Sequence, residues 1–249
     1  MRRIIAATVA ALAAVLLSVG TASAAGHGDH RDLTADVPAG PTRHCVTTAE
    51  QRDLASWACA GSTLLANGKV EQLDGSAAKP TVTTQASPAD DEDSWCEPTG
   101  LCTRLISDYI RETKANIWYG YGDRTVGSYD AVLRNNLNGR QPRLTTTLIL
   151  DEGPPLYFPT VSTQCYEEIS FWPDNPCGTD TMGGAYLNGP MARWDSGPRY
   201  GDRLENSNEY YHALDASWVP TGYAPLSGRL FETPYFNCYG SDPCYFPPE

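Results

Sequence analysis

The sequence predicts a mainly β protein: a disulfide-stapled antiparallel β-sandwich or barrel with a short N-terminal helix. Three observations predict it. Past residue 94, Gly, Pro and Asn-Gly turns punctuate the chain so closely that no long run of helical period survives. The stretches between those turns are of strand length and rich in Tyr, Trp and Thr. The eight cysteines are even in number and fall into four local couples.

The first residues read Met1-Arg2-Arg3, followed by an apolar run from Ile4 to Val19 and small residues ending in Ala22-Ser23-Ala24. A basic start, a short apolar middle and an A-x-A ending form a secretory signal pattern. Residues 1–24 are therefore expected to be a cleaved signal, with Ala25 as the mature start. The expected compartment is extracellular. No later segment is apolar enough to form a spanning helix, so no membrane association is expected after cleavage. The formal net charge is -12, and loss of Arg2 and Arg3 takes it to about -14. A surface this acidic repels phosphate backbones and anionic lipid, which argues against nucleic-acid and membrane partners.

Residues 25–41 are polar and without period, and read as a flexible arm. Thr47-Thr48-Ala49-Glu50 fits a capping box, predicting a helix over about 48–60 with Leu54, Trp57 and Ala58 on one side. Residues 42–68 thus read as a small helical segment stapled by Cys45 and Cys59. Residues 69–93 have the composition of an acidic linker ending in Asp90-Asp91-Glu92-Asp93, which lacks the spacing of a calcium loop.

Residues 94–249 read as one β-rich domain. Strands are expected at 115–121, 129–136, 143–150, 156–161, 185–194, 209–218 and 229–236. Leu137-Asn138-Gly139-Arg140 marks a hairpin turn. Residues 103–113 suit either a helix face or a strand. In an exported chain the cysteines are expected as disulfides, paired as nearest neighbours: Cys45 with Cys59, Cys96 with Cys102, Cys165 with Cys177, Cys238 with Cys244.

Candidate chemistry is sparse. The carboxylates Asp151, Glu152, Glu167 and Glu168 could act on a glycoside if one from each couple met across about 5–10 Å. Adjacent strand residues point to opposite faces, so neither dipeptide is itself a catalytic pair. His212 is the one histidine of the main domain. Alternation places it with Tyr210, Leu214 and Trp218, which suits a structural histidine with a satisfied ring. No Ser-nucleophile elbow, H-E-x-x-H or P-loop is present. Cleavage after Ala24 would leave Ala25-Gly26-His27, whose nitrogens could hold Cu(II) or Ni(II) in a plane; one residue, His27, decides that match. No cofactor is expected. The aromatic corner Trp118-Tyr119-Gly120-Tyr121-Gly122 offers Trp118, Tyr119 and Tyr121 as a binding platform, against which stands the need of a chain with 5 Phe to fill its core.

Three stretches carry a resemblance: Asn116-Ile117-Trp118-Tyr119-Gly120, Asn135-Asn136-Leu137-Asn138-Gly139-Arg140-Gln141, and Tyr235-Phe236-Asn237-Cys238 with Cys244-Tyr245-Phe246. Together they resemble a β-rich region of secreted actinobacterial proteins that can precede NucA/NucB-type nuclease domains. The similarity spans roughly residues 96–246. It implies a non-catalytic module of extracellular, toxin-related or cell-surface systems. Cys165-Tyr166-Glu167-Glu168 is only superficially like the nuclease's acidic motif, so no catalytic residues are carried over.

The expected function is a secreted, non-catalytic binding or assembly module, with another secreted protein or a cell-wall glycan as partner. The alternative is a secreted glycan-active hydrolase using the paired carboxylates. A third reading is a secreted inhibitor presenting the stapled loop between Cys165 and Cys177.

Overall fold

The computed structural model describes residues 31–73, 94–97, 100–139, 141–169, 173–204, 208–238 and 244–246. The expected signal over residues 1–24, the start of the arm with His27, and residues 74–93 of the expected linker lie outside the described residues.

The elements run α1 (Pro41–Gln51), β1 (Trp57–Ala60), β2 (Thr63–Ala66), β3 (Lys69–Gln72), β4 (Ser94–Cys96), β5 (Leu101–Ser107), β6 (Ile110–Tyr121), β7 (Arg124–Asn136) and β8 (Arg143–Glu152). They continue as β9 (Leu156–Glu167), β10 (Asn175–Met182), β11 (Ala185–Leu187), β12 (Arg193–Asp195), β13 (Arg199–Tyr200), β14 (Glu209–Pro220), β15 (Leu226–Glu232) and β16 (Phe236–Asn237). Among the described residues they build two antiparallel sheets. Sheet A runs β12-β8-β7-β6-β1-β2-β3, with β13 on β8 and β5 linking β4 to β6. Sheet B runs β10-β9-β14-β15, with β11 on β9 and β16 on β14.

Among the described residues the protein is therefore a β-sandwich with one short α-helix, as the sequence predicts. Its main core lies between the sheets. Ala115, Ile117, Tyr119, Tyr129, Leu133 and Leu148 of sheet A meet Phe158, Val161, Leu214 and Trp218 of sheet B there. Tyr129 sits edge-on to both Phe158 and Trp218, with ring centroids 5.2 and 5.6 Å away, a favoured aromatic geometry. All eight cysteines are paired as nearest neighbours.

The N-terminal part departs from its expected form. The helix starts at Pro41, where a fixed φ suits the first turn, directly after Gly40 in a left-handed conformation. It ends at Gln51, and Asp53 takes a positive φ of 49°. Trp57 and Ala58, expected on a helix face, are strand residues instead. β1 pairs with β6, joining Cys59 to Trp118 and Trp57 to Gly120. The stapled segment is thus a continuation of sheet A, and the Cys45–Cys59 bridge pins α1 to that sheet. The described end of the expected arm is also ordered. Leu33 and Val37 are buried with α1, the Leu33 amide donates to the Thr125 carbonyl at 3.0 Å, and Arg43 donates to the Thr34 carbonyl at 2.7 Å. Two apolar residues in a polar stretch are enough to anchor it.

The start of the expected linker is strand β3. Asn67 and Gly68, with φ of 53° and 71°, turn β2 back into it, and positive φ at both central residues is the primed turn that suits a hairpin. The ambiguous 103–113 stretch resolves into the β5–β6 hairpin. The strand expected over 185–194 splits: β11 joins sheet B and β12 joins sheet A, because Gly189-Pro190 interrupts the ladder between them. Pro234 likewise separates β15 from β16.

One close approach fixes how the N-terminal hairpin meets β6. Trp57 is fully buried and its indole donates to the Gly122 carbonyl at 3.1 Å. A Cβ on Gly120 would overlap the Trp57 ring and the Arg124 carbonyl oxygen. Gly120→Ala is expected to destabilise by about 1–3 kcal/mol through overpacking, lowering Tm by roughly 3–10 °C in a chain of this size; a thermal melt followed by circular dichroism checks it. A peptide map of non-reduced protein is expected to recover the four local bridges, and any long-range cystine would contradict the topology.

Candidate functional site

The aromatic corner is interior. Alternate residues of β6 point to opposite faces: Trp118 lies under α1 with Trp57 and Leu64, whereas Tyr119 and Tyr121 face the core between the sheets. All three are buried. Burial also holds the Tyr119 and Tyr121 phenols well above their ordinary range. The expected platform of Trp118, Tyr119 and Tyr121 is corrected accordingly: the need to fill a Phe-poor core claims these rings.

The candidate carboxylates do not converge. Asp151 and Glu152 end β8 in sheet A, and Glu167 ends β9 in sheet B. Between them lies the whole of β9, 12 residues long, which at about 3.3 Å per residue separates the two couples by a contour of roughly 40 Å. Glu167 is buried and accepts a hydrogen bond from the Asn208 amide. Glu168 is hydrogen-bonded to the Tyr235 phenol. A two-carboxylate glycosidase arrangement across the sheets is absent among these four residues.

Asp151 instead joins a polar cluster on the face of sheet A turned away from sheet B. Its neighbour there is Asp130, brought close because β7 lies between β6 and β8. The Asn116 amide donates to Asp130 Oδ1 and to Asp151 Oδ2, each at 2.9 Å. Lys114 Nζ lies 2.5 Å from Asp130 Oδ2. Partial burial, and then the Asp130 charge, push the Asp151 carboxyl up to about 6. Lys114 offsets one of the two carboxylate charges and Asn116 bridges them; among the described residues no group of three or more His, Cys, Asp or Glu is placed to hold a metal ion.

His212 faces inward, as alternation predicts, stacked on Phe236 at 5.1 Å. The expectation of a satisfied ring is corrected: neither ring nitrogen has a hydrogen-bond partner.

A concavity of ligand size lies elsewhere, on the side of the sandwich where the edge strands β3 and β15 approach each other. It is a cleft of about 580 Å3, within the usual range of roughly 300–1,000 Å3 for ligand sites. Val70 and Gln72 of β3 line one part. Arg229 and Glu232 of β15, Tyr235 beyond it, and Tyr211 of β14 line another. The aromatic side is built by cross-strand register. β9 pairs with β14 so that Tyr166 opposes Tyr211, and their rings stack at 5.2 Å. Tyr235 meets Tyr211 edge-on at 5.5 Å and remains 44% exposed. Arg229 caps the row: its guanidinium lies over Tyr166 and donates to the Tyr166 hydroxyl at 3.0 Å, with Asp215 and Glu232 as ion partners. The Tyr211 hydroxyl donates to Asp174 at 2.7 Å. Burial and the Asp174 bond raise the Tyr211 phenol, and the Glu168 bond with burial raises Tyr235. Tyr211 and Tyr235 are therefore neutral, held by their hydroxyls, and line the cleft.

Sequence reasoning missed Tyr166, Tyr211, Tyr235 and Arg229. The signal for Tyr211 was present: the alternation that turns His212 inward turns Tyr211, Asp215 and Ser217 outward. Comparison with protein-family models, curated proteins and solved structures returned no match.

The Asp151 environment generates a pH test. With a folded value of about 6 against an ordinary 3.8, Asp151 binds more protons folded than unfolded between those values. Stability therefore falls as pH rises through that window and stays reduced above it. Asp151→Asn is expected to raise Tm at pH 7.5 and leave it unchanged near pH 3.5, measured by thermal melts across pH. An equal shift at both pH values would contradict the assignment.

Proposed function

We propose that this protein is a secreted, non-catalytic binding module that holds a cell-wall glycan in the β3–β15 cleft. The carrying observation is the row of Arg229, Tyr166, Tyr211 and Tyr235 beside a concavity of ligand size. Aromatic rings present apolar faces to the C–H faces of sugars, while neighbouring polar groups fix orientation. Four disulfides in a chain with an export signal pattern support the extracellular setting. The resemblance to a non-catalytic region of secreted proteins points the same way. A hydrolase built on Asp151 and Glu167 has no support in their separation.

One observation favours a second reading, in which a secreted partner protein adds a strand. β15 ends the β10-β9-β14-β15 order of sheet B, and an unpaired edge beside side-chain pockets is the usual setting for strand addition.

Affinity electrophoresis through gels carrying cell-wall polysaccharide tests the proposal. Retardation is expected for the native protein, with a loss of roughly tenfold or more in affinity for Tyr235→Ala, since stacked aromatic anchors carry about 1–3 kcal/mol. No retardation on any wall polysaccharide, or full binding by Tyr235→Ala, would sink the glycan reading. Arg229→Ala, which unseats the row without touching β15's backbone, then separates glycan binding from strand addition.

A further inference from the structure

The opposite side of the sandwich holds a second concavity, unrelated to the cleft. It lies where β10, the edge of sheet B, passes β13 at the edge of sheet A. Its volume is about 30 Å3, room for one or two water-sized groups and too small for a sugar ring.

Its lining follows from register. Asp180 of β10 pairs with Thr163 of β9, and Gly178 pairs with Cys165, which in turn pairs with His212 of β14. These residues share the face of sheet B that looks toward Leu144 of sheet A. Gly178 contributes no side chain, and Asp202 fills the place: a Cβ on Gly178 would lie 2.6 Å from Asp202 Oδ2. The carboxylate of Asp202 is thereby laid across the strand at the cavity.

Two groups here lack partners. His212 is 0% exposed with both ring nitrogens unbonded, and Thr163 is 2% exposed with its hydroxyl unbonded. A buried polar group without a partner is costly, so two together on one small cavity mark a place where a ligand's hydrogen bonds are worth most. Asp180 is balanced by Arg199 at 3.8 Å. Asp202 has no ion pair among the described residues.

The free groups are mainly acceptors. Asp202 is a carboxylate, the Thr163 oxygen accepts, and a neutral imidazole offers one lone pair. Burial pushes the His212 imidazole down to about 3, so it is neutral wherever the protein is folded at ordinary pH. An anion is repelled by Asp202. A metal ion lacks a set of three His, Cys, Asp or Glu ligands among the described residues. A compact cation rich in N–H donors serves the Asp202 carboxylate, the Thr163 oxygen and the imidazole lone pair at once, and leaves the imidazole N–H as the one donor it does not pair.

We propose that this cavity binds a primary ammonium group, the ammonium ion or the head of a small alkylamine. Asp202 supplies the counter-charge, and Thr163 and His212 accept its N–H hydrogens. The site is independent of the glycan-binding reading, and either can fail alone.

The test is a titration of the full, disulfide-intact protein with methylammonium chloride at pH 7.5, read through the His212 ring nitrogens by 15N NMR. The ring is assigned through its contact with Phe236. A saturable shift is expected with methylammonium and none with sodium chloride or tetramethylammonium chloride at equal ionic strength, because these carry no N–H donor. Asp202→Asn, an exposed substitution, is expected to weaken binding roughly tenfold or more, the loss of one charge-assisted hydrogen bond, with the near-UV spectrum unchanged. No saturable shift, the same shift with all three salts, or an unaltered titration in folded Asp202→Asn each overturns the proposal.

Discussion

A strand has two faces, and in the C-terminal half of β6, around Trp118 to Tyr121, both are buried. Its odd-numbered residues Ala115, Ile117, Tyr119 and Tyr121 pack on sheet B, while Trp118 lies under α1. That double burial makes β6 the spine of the molecule. On one flank it holds β7, and on the other β5 and the N-terminal hairpin through β1. Gly120 is the point where the two demands meet: the Trp57 ring occupies the space its side chain would need. The α-helix, the hairpin and the residues docked around Leu33 would have no surface to pack on without it.

The disulfides work at the periphery of this arrangement. Cys45–Cys59 fixes α1 to β1, Cys96–Cys102 closes the β4–β5 hairpin, and Cys165–Cys177 ties β9 to its neighbour β10. Cys238–Cys244 closes the segment whose Asn237 and Tyr245 exchange backbone hydrogen bonds at 2.9 Å. Short loops gain less from cross-linking than long ones. These bridges therefore secure strand ends and edges locally, where a sheet is most easily frayed, and the buried aromatic and aliphatic core holds the two sheets together.

The elements legible in the sequence were those with strong local signals. The Asn138-Gly139 turn and its flanking alternation mark the β7–β8 hairpin, and cysteine spacing marks the bridges. Asn67-Gly68 carried the same hairpin signal, but acidic, Gly- and Pro-rich residues after it gave the stretch the look of a linker. The capping pattern at Thr47–Glu50 was outweighed by Pro41, which starts the helix a full two turns earlier. Trp57 and Ala58 then follow the non-local pairing with β6, a constraint that no window of local sequence contains. The aromatic corner failed for a related reason. Three aromatic residues near glycines look the same whether the face they share is open or covered, and here α1 and sheet B cover both.

The aromatic row was illegible because it is assembled from β9, β14 and β15 together with Tyr235 beyond β15. Tyr166, Tyr211, Arg229 and Tyr235 meet only through the β9–β14 and β14–β15 registers, and a one-residue slip in either would turn its side chains to the other face. A sandwich of two open sheets leaves two sides where edge strands face one another and the core comes nearest to solvent. One side, at β3 and β15, is wide and aromatic. The other, at β10 and β13, is narrow, with buried polar groups reaching in from β9 and β14. Lys114 pairs with Asp130 on the outer face of sheet A, and the two concavities lie at these two sides. The register that sets the core also decides what each side presents.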